Sequence, residues 1–204
     1  MNWNQQCEVS ILIIWINGAF GSGKTQTSHE LFRRIPNSFI YDPENAGYFI
    51  RKNIPKSMHN GDFQDFHMWR EFNYSMLKTI HDDFSGTIIV PMTIVNPEYF
   101  SEIIGKLRED GITVNHITLC ASKDTLLKRL RSRGEGKYSW PAQQIERCIT
   151  GLAHDVFEYH LETDEMSIED IVEHIAVLTN STLLSDRRSI LRKMIDRFIT
   201  KIKG

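Results

Sequence analysis

Short apolar runs alternate with longer stretches in which apolar residues recur at helical spacing. The runs are ILIIWI at 11–16, SFIY at 38–41, TIIV at 87–90, VNHITLC at 114–120 and EYHLET at 158–163. They are too short for buried helices and lack polar alternation, which is the pattern of parallel strands covered on both faces. Between them, Lys24 to Arg34 reads as a helix stopped by Pro36, and Phe63 to Asp83 as one long helix or two. Asn96-Pro97-Glu98 is a helix start, with Asn as N-cap, Pro at the first position and an acid in the first turn; that helix ends before Gly111. Ser122 can cap a helix to about Arg131, and Ser167 with Asp170 another to about Leu178. The β-α-β-α succession predicts an α/β fold: a five-stranded parallel sheet with helices on both faces. No repeat, low-complexity tract or Pro/Gly/Ser linker interrupts it, so residues 1–180 are expected to form one domain.

Residues 181–204 read differently. Ile190, Leu191, Met194, Ile195, Phe198, Ile199 and Ile202 form an apolar stripe at helical spacing, with arginines and lysines opposite. From Ser185 onward there are seven basic residues against two acidic, a local charge of +5 in a chain of net charge −2, so the remaining 184 residues carry −7. A basic tail on an acidic body argues against a nucleic-acid footprint over the whole domain. Such a helix can lie on an anionic membrane surface, each basic residue contributing on the order of 1 kcal/mol, or pack its stripe on the domain or on a second copy. It is too short and too charged to span a bilayer.

Composition adds that the chain is of the globular class, with 204 residues, 41% hydrophobic and 25% charged. Cys7, Cys120 and Cys148 are scattered and odd in number, which fits a reducing compartment. The first residues lack a basic leader and a small-residue cleavage site, so a cytoplasmic protein is expected, with peripheral contact to the inner face of the cell membrane open to the tail. His116, His154 and His160 lack metal-ligand spacing with each other or with the cysteines.

The chemistry begins at Gly18-Ala19-Phe20-Gly21-Ser22-Gly23-Lys24-Thr25, which satisfies G-x-x-x-x-G-K-[ST] directly after a strand and at the start of a helix. Residues Gly18 to Gln26 are therefore expected to bind a nucleoside triphosphate. Their backbone amides surround the phosphates, Lys24 neutralises charge, and the Thr25 hydroxyl is offered to Mg²⁺. A hydrolysing ATPase usually ends an apolar strand in a carboxylate, whereas here Val90-Pro91-Met92-Thr93 carries none. The carboxylates follow the second strand instead, in Tyr41-Asp42-Pro43-Glu44. There Asp42 can orient or deprotonate an acceptor hydroxyl, or else cap the helix after Pro43. Arg129 and Arg133 border a loop containing Gly134 and Gly136, and Arg147 follows on the next helix. Together they suit a mobile lid closing on a charge-dispersed phosphoryl group, or a solvated basic helix face. In Asp62 to Tyr74, Trp69, Tyr74 and Arg70 could hold an acceptor bearing a base or sugar, the alternative for the aromatics being simple core packing.

The stretch Ile13 to Thr27 resembles the bacterial tunicamycin-resistance family of ATP-binding P-loop proteins, which are akin to small nucleoside and nucleotide kinases. So do Tyr41-Asp42-Pro43-Glu44, Trp69-Arg70 with Phe72-Asn73-Tyr74, Val90 to Val95 with Pro97 to Phe100, and Ala121-Ser122-Lys123 onward to Arg133. The resemblance implies bound ATP and Mg²⁺ and protection against tunicamycin, a uridine-containing nucleoside antibiotic, with Thr93 beside the acceptor. Kinship to kinases implies phosphorylation of that acceptor, and sequestration of the drug near the membrane is the rival. The Asp-Gly usual after the third strand of nucleotide kinases is absent here.

Overall fold

The computed structural model describes residues 11–59 and 61–203. Cys7 and the other first ten residues lie outside it, as do the side chains of Lys201, Ile202 and Lys203. Five strands form one sheet: β1 (Leu12–Gly18), β2 (Ser38–Ile40), β3 (Thr87–Pro91), β4 (Val114–Cys120) and β5 (Tyr159–Glu162). Their order is β2-β3-β1-β4-β5, every pair parallel. All seven residues of β1 are buried, which explains its lack of polar alternation. Ile13 and Trp15 join a core with Trp69, Leu77, Val90, Ile103 and Phe157 on one face, while Ile14 and Ile16 join Leu31, Ile117, Ile171 and Ile175 on the other.

The helices are α1 (Lys24–Arg34), α2 (Glu44–Asn53), α3 (His67–Asp83), α4 (Pro97–Phe100), α5 (Lys106–Glu109), α6 (Lys123–Arg131), α7 (Trp140–Leu152), α8 (Ile168–Leu178) and α9 (Ile190–Lys203). Capping chemistry sets several starts. Asn96 accepts from the Glu98 amide, Ser122 from that of Thr125, and Ser167 and Asp170 complete a reciprocal capping box. The segment 63–83 is a single 3₁₀ turn, Phe63–Asp65, followed by α3. A π-helical turn, Ser101–Gly105, joins α4 to α5.

The tail overturns one expectation. Its basic side chains, not its apolar stripe, dock on the domain. Arg188 pairs with Glu30 of α1 as well as with Asp186 and Asp196, Lys193 reaches Asp186 at 2.8 Å, and Arg197 pairs with Glu169 of α8. The stripe is turned outward, Ile190 being 81% and Phe198 62% exposed. The reason is that α1 and α8 offer the tail carboxylates, Glu30 and Glu169.

Beneath the first loop lies a buried polar cluster. Asn17 Oδ1 accepts from the amides of Gly18 and Ile94, at 2.8 and 3.0 Å, and its Nδ2 donates to the Ile94 carbonyl and to His116 Nε2. His116 Nδ1 lies 3.1 Å from the Phe157 carbonyl, so that nitrogen carries the proton and Nε2 accepts. Burial lowers the His116 pKa from 6.5 to about 4. Two outcomes follow in denaturant titrations. Asn17→Ala strands several buried groups and should cost about 3 kcal/mol or more. As pH falls from 6.5 to 4 the unfolded chain binds a proton at His116 that the folded chain refuses, so stability should fall by up to about 3 kcal/mol, and this component should vanish in His116→Gln.

Candidate active site

At the carboxyl edge of the sheet β1 runs into the loop 18–23, where the chain turns through three glycines at positive φ: 144° at Gly18, 85° at Gly21 and 105° at Gly23. Gly23 caps α1 without any side-chain acceptor, which leaves the first-turn amides available to an anion. Lys24 Nζ donates to the carbonyls of Gly18 and Ala19 at 2.9 and 3.1 Å. Burial lowers its pKa from 10.5 to about 8, against an opposing pull from Glu44.

Lys24 and Thr25 line a cleft of about 590 Å³. The end of β3 supplies its floor, with Met92 and Thr93; Thr93 donates its hydroxyl to the Gly18 carbonyl at 2.8 Å. One wall is Asp42 with α2 and the loop to Gln64, including Glu44, Tyr48, Arg51, Asp62 and Phe63. The other is the loop after α6 together with α7, including Arg133, Glu135, Trp140, Gln144 and Arg147. Asp42 Oδ1 accepts from the Glu44 amide at 3.0 Å, as a cap would, and Asp42 is also among the residues that line the cleft. Burial raises its pKa, with the hydrogen bond from Glu44 working the other way.

The structure thus brings Phe20, Gly21, Gly23, Lys24, Thr25, Asp42, Thr93, Arg133 and Arg147 into one cleft. Other expected residues are elsewhere. Arg70 is buried, donating to Glu102 and to the Gln64 carbonyl at 2.6 Å each and stacking on Tyr99, because the core side of α3 offers it these partners. Trp69 is fully buried and donates to the Pro43 carbonyl, while the Tyr74 hydroxyl donates to Asp110. Arg129 braces the site from behind, donating to Ser22 O and Thr163 O. The Gln26 side chain is turned to α9, donating to the Arg197 carbonyl at 3.0 Å. Arg147 is held across the cleft by Asp62 at 3.1 Å. Among residues missed from sequence, Glu44 and Trp140 sat inside motifs already noticed; Tyr48, Arg51 and Gln64 carry no local signal.

The residues present fit a magnesium nucleotide. Among the described residues no group of three or more His, Cys, Asp or Glu could hold a metal alone. The ion would rest on the Thr25 hydroxyl and on phosphate oxygens, a mode that suits Mg²⁺, which keeps much of its water.

A family model described as an AAA domain matches residues 13–153. The tunicamycin resistance protein of Deinococcus radiodurans superposes with a TM-score of 0.74 at 32% identity, over 86% of this chain and 99% of that one. The chain belongs to the tunicamycin-resistance protein family. More distant structures share the fold alone. A sugar kinase from Janibacter sp. HTCC2649 is 16% identical over 82% of this chain and 93% of its own, with a TM-score of 0.58. Shikimate kinase from Bacteroides thetaiotaomicron is 16% identical over 83% and 98%, with a TM-score of 0.56. A search of curated protein sequences gives no match. The tunicamycin-resistance member described here therefore has the P-loop kinase-like fold.

The charge on Lys24 sets a pH dependence. Its ammonium is the form that attracts phosphate, so MgATP affinity measured by calorimetry should hold steady below pH 8 and weaken as pH rises above it. In Lys24→Met the affinity should be at least tenfold lower at pH 7 and lose that dependence.

Proposed function

We propose that this protein is an ATP:alcohol phosphotransferase acting on a nucleoside-type acceptor, with tunicamycin the first compound to test. The observation that supports this is a single cleft lined by Lys24, Thr25 and Arg133 together with a half-buried carboxylate, Asp42. The Deinococcus radiodurans relative is named for tunicamycin resistance, which supports the choice of acceptor.

Bound MgATP supplies the γ-phosphoryl group. Lys24 and the loop amides hold its oxygens, and Arg133 adds positive charge where the transferring group disperses negative charge. Asp42 accepts a hydrogen bond from the acceptor hydroxyl and takes its proton as that oxygen bonds to the γ-phosphorus; the bond from phosphorus to the bridging oxygen breaks and ADP leaves. Burial raises the proton affinity of Asp42, which suits it to this step. The loop from Ser132 to Ser139, with Gly134 at positive φ, gives Arg133 a mobile support.

A second reading, sequestration of the drug at the membrane, is favoured by one observation: the outward apolar stripe of α9. No helix among the described residues is long and apolar enough to cross a membrane, so α9 would lie on the surface with its stripe in the lipid interface.

Incubation with MgATP and tunicamycin should add the mass of one phosphoryl group to the drug by mass spectrometry; stoichiometric drug binding without that mass favours sequestration. Asp42→Asn should lower turnover by roughly 10²–10⁴-fold while leaving ATP affinity unchanged, and an unchanged rate removes Asp42 from the reaction. For the tail, the full chain should co-sediment with anionic phospholipid vesicles, and the Met194→Asp/Phe198→Asp double variant should remain in the supernatant.

A further inference from the structure

Among the described residues, Trp140 is the indole that meets solvent: Trp15 and Trp69 are fully buried, whereas Trp140 is 51% exposed. It opens α7 beside Pro141, and both line the cleft. Its ring meets Phe20 of the phosphate loop edge-on at 5.1 Å, and the Phe20 ring lies 5.6 Å from the Lys24 ammonium. The indole therefore stands one aromatic ring away from the group that binds phosphate, where an acceptor hydroxyl has to be presented.

Cations and carboxylates both line the cleft, but Lys24 and Arg133 belong to the phosphoryl group in the phosphotransferase reading, and the other two cations are engaged elsewhere. Arg147 is paired with Asp62 at 3.1 Å. Arg51 donates to the Gly61 carbonyl at 2.9 Å and lies over the Phe63 ring. Asp42, Glu44 and Glu135 line the same cleft. The first two are held by neutral donors, Asp42 by the Glu44 amide and Glu44 by the Tyr48 hydroxyl, at 3.0 and 2.9 Å. A carboxylate or phosphate on the acceptor would lose water beside like charges, whereas an uncharged ring meets an aromatic surface and acceptors for its hydroxyl protons.

We propose that Trp140, braced by Phe20, is the stacking platform for the acceptor, and that the surrounding carboxylates select an uncharged hydroxyl-bearing ring, as in a nucleoside, over an acidic acceptor. This rests on the phosphotransferase reading for the identity of the cleft and for nothing else, because the test reads binding without turnover.

The test uses the full chain saturated with Mg²⁺ and a non-hydrolysable ATP analogue, titrated with uridine, tunicamycin or gluconate while tryptophan emission is followed and affinity is measured by calorimetry. Uridine and tunicamycin should bind and change the emission, and gluconate should bind at least tenfold more weakly than uridine. Trp140→Ala should weaken tunicamycin about tenfold, the usual worth of stacking on one aromatic ring. Trp140→Phe should stay within about threefold of wild type in affinity yet lose the emission change. Affinity for the ATP analogue, read in the same samples, reports whether each variant is folded. Gluconate binding as tightly as uridine overturns the charge selection. Unchanged tunicamycin affinity in a folded Trp140→Ala, or an emission change that survives in Trp140→Phe, overturns the platform. A wild-type chain that binds neither uridine nor tunicamycin overturns both, whether or not it transfers phosphate to anything else. Absent phosphoryl transfer with these affinities intact defeats the reaction and leaves the platform standing.

Discussion

A loop can surround a phosphate only if its amides turn inward together, and here that turn depends on the crowding at Gly18. A Cβ at that position would sit 2.6 Å from Ser22 Oγ and 2.7 Å from the Leu119 carbonyl, so any side chain would have to displace backbone of the neighbouring strand. The surroundings are arranged to hold this turn. Asn17 binds the amides of Gly18 and Ile94, Thr93 binds the Gly18 carbonyl, and Arg129 binds the Ser22 carbonyl. With β1 between β3 and β4, the sheet supplies these supports from both sides. The strand order is thus part of the site, in keeping with ligand placement beyond the carboxyl ends of parallel strands.

Arginine plays several physical roles in and around the cleft. Arg70 is a buried structural cation, paired with Glu102 and stacked on Tyr99. Arg129 ties the phosphate loop to Thr163 after β5. Arg147 spans the cleft to Asp62. Arg133, on the loop between α6 and α7, faces the same space as Lys24. It sits on a loop bounded by two helices, where the backbone can absorb dihedral changes that helices resist.

The tail inverts the ordinary arrangement of an amphipathic helix. Usually the apolar face is buried and the charged face is wet. Arg188, just before α9, and Lys193 and Arg197 within it are drawn to Glu30, Asp186 and Glu169, leaving the apolar face outside. Gln26, next to Thr25, also donates to the backbone of α9, so the helix rests against the first turn of α1.

Local order was enough for the phosphate loop, the five strands and most helix starts. Glycine spacing, apolar runs and caps such as Asn96, Ser122 and Ser167 act over a few residues, so they can be read along the chain. It was also enough to bring attention to Asp42, whose double character as cap and cleft carboxylate the structure retains. Long-range packing decided which way side chains face. Arg70 and Arg133 look alike in sequence, yet one meets Glu102 in the core and the other the open cleft. Likewise Trp69, read as a stacking or a core residue, is fully buried whereas Trp140 is exposed, because burial depends on what the rest of the chain stacks against each ring. The orientation of α9 was hidden for the same reason: its pattern records an apolar and a basic face, but the acidic residues on α1 and α8 that choose between them lie far away along the chain.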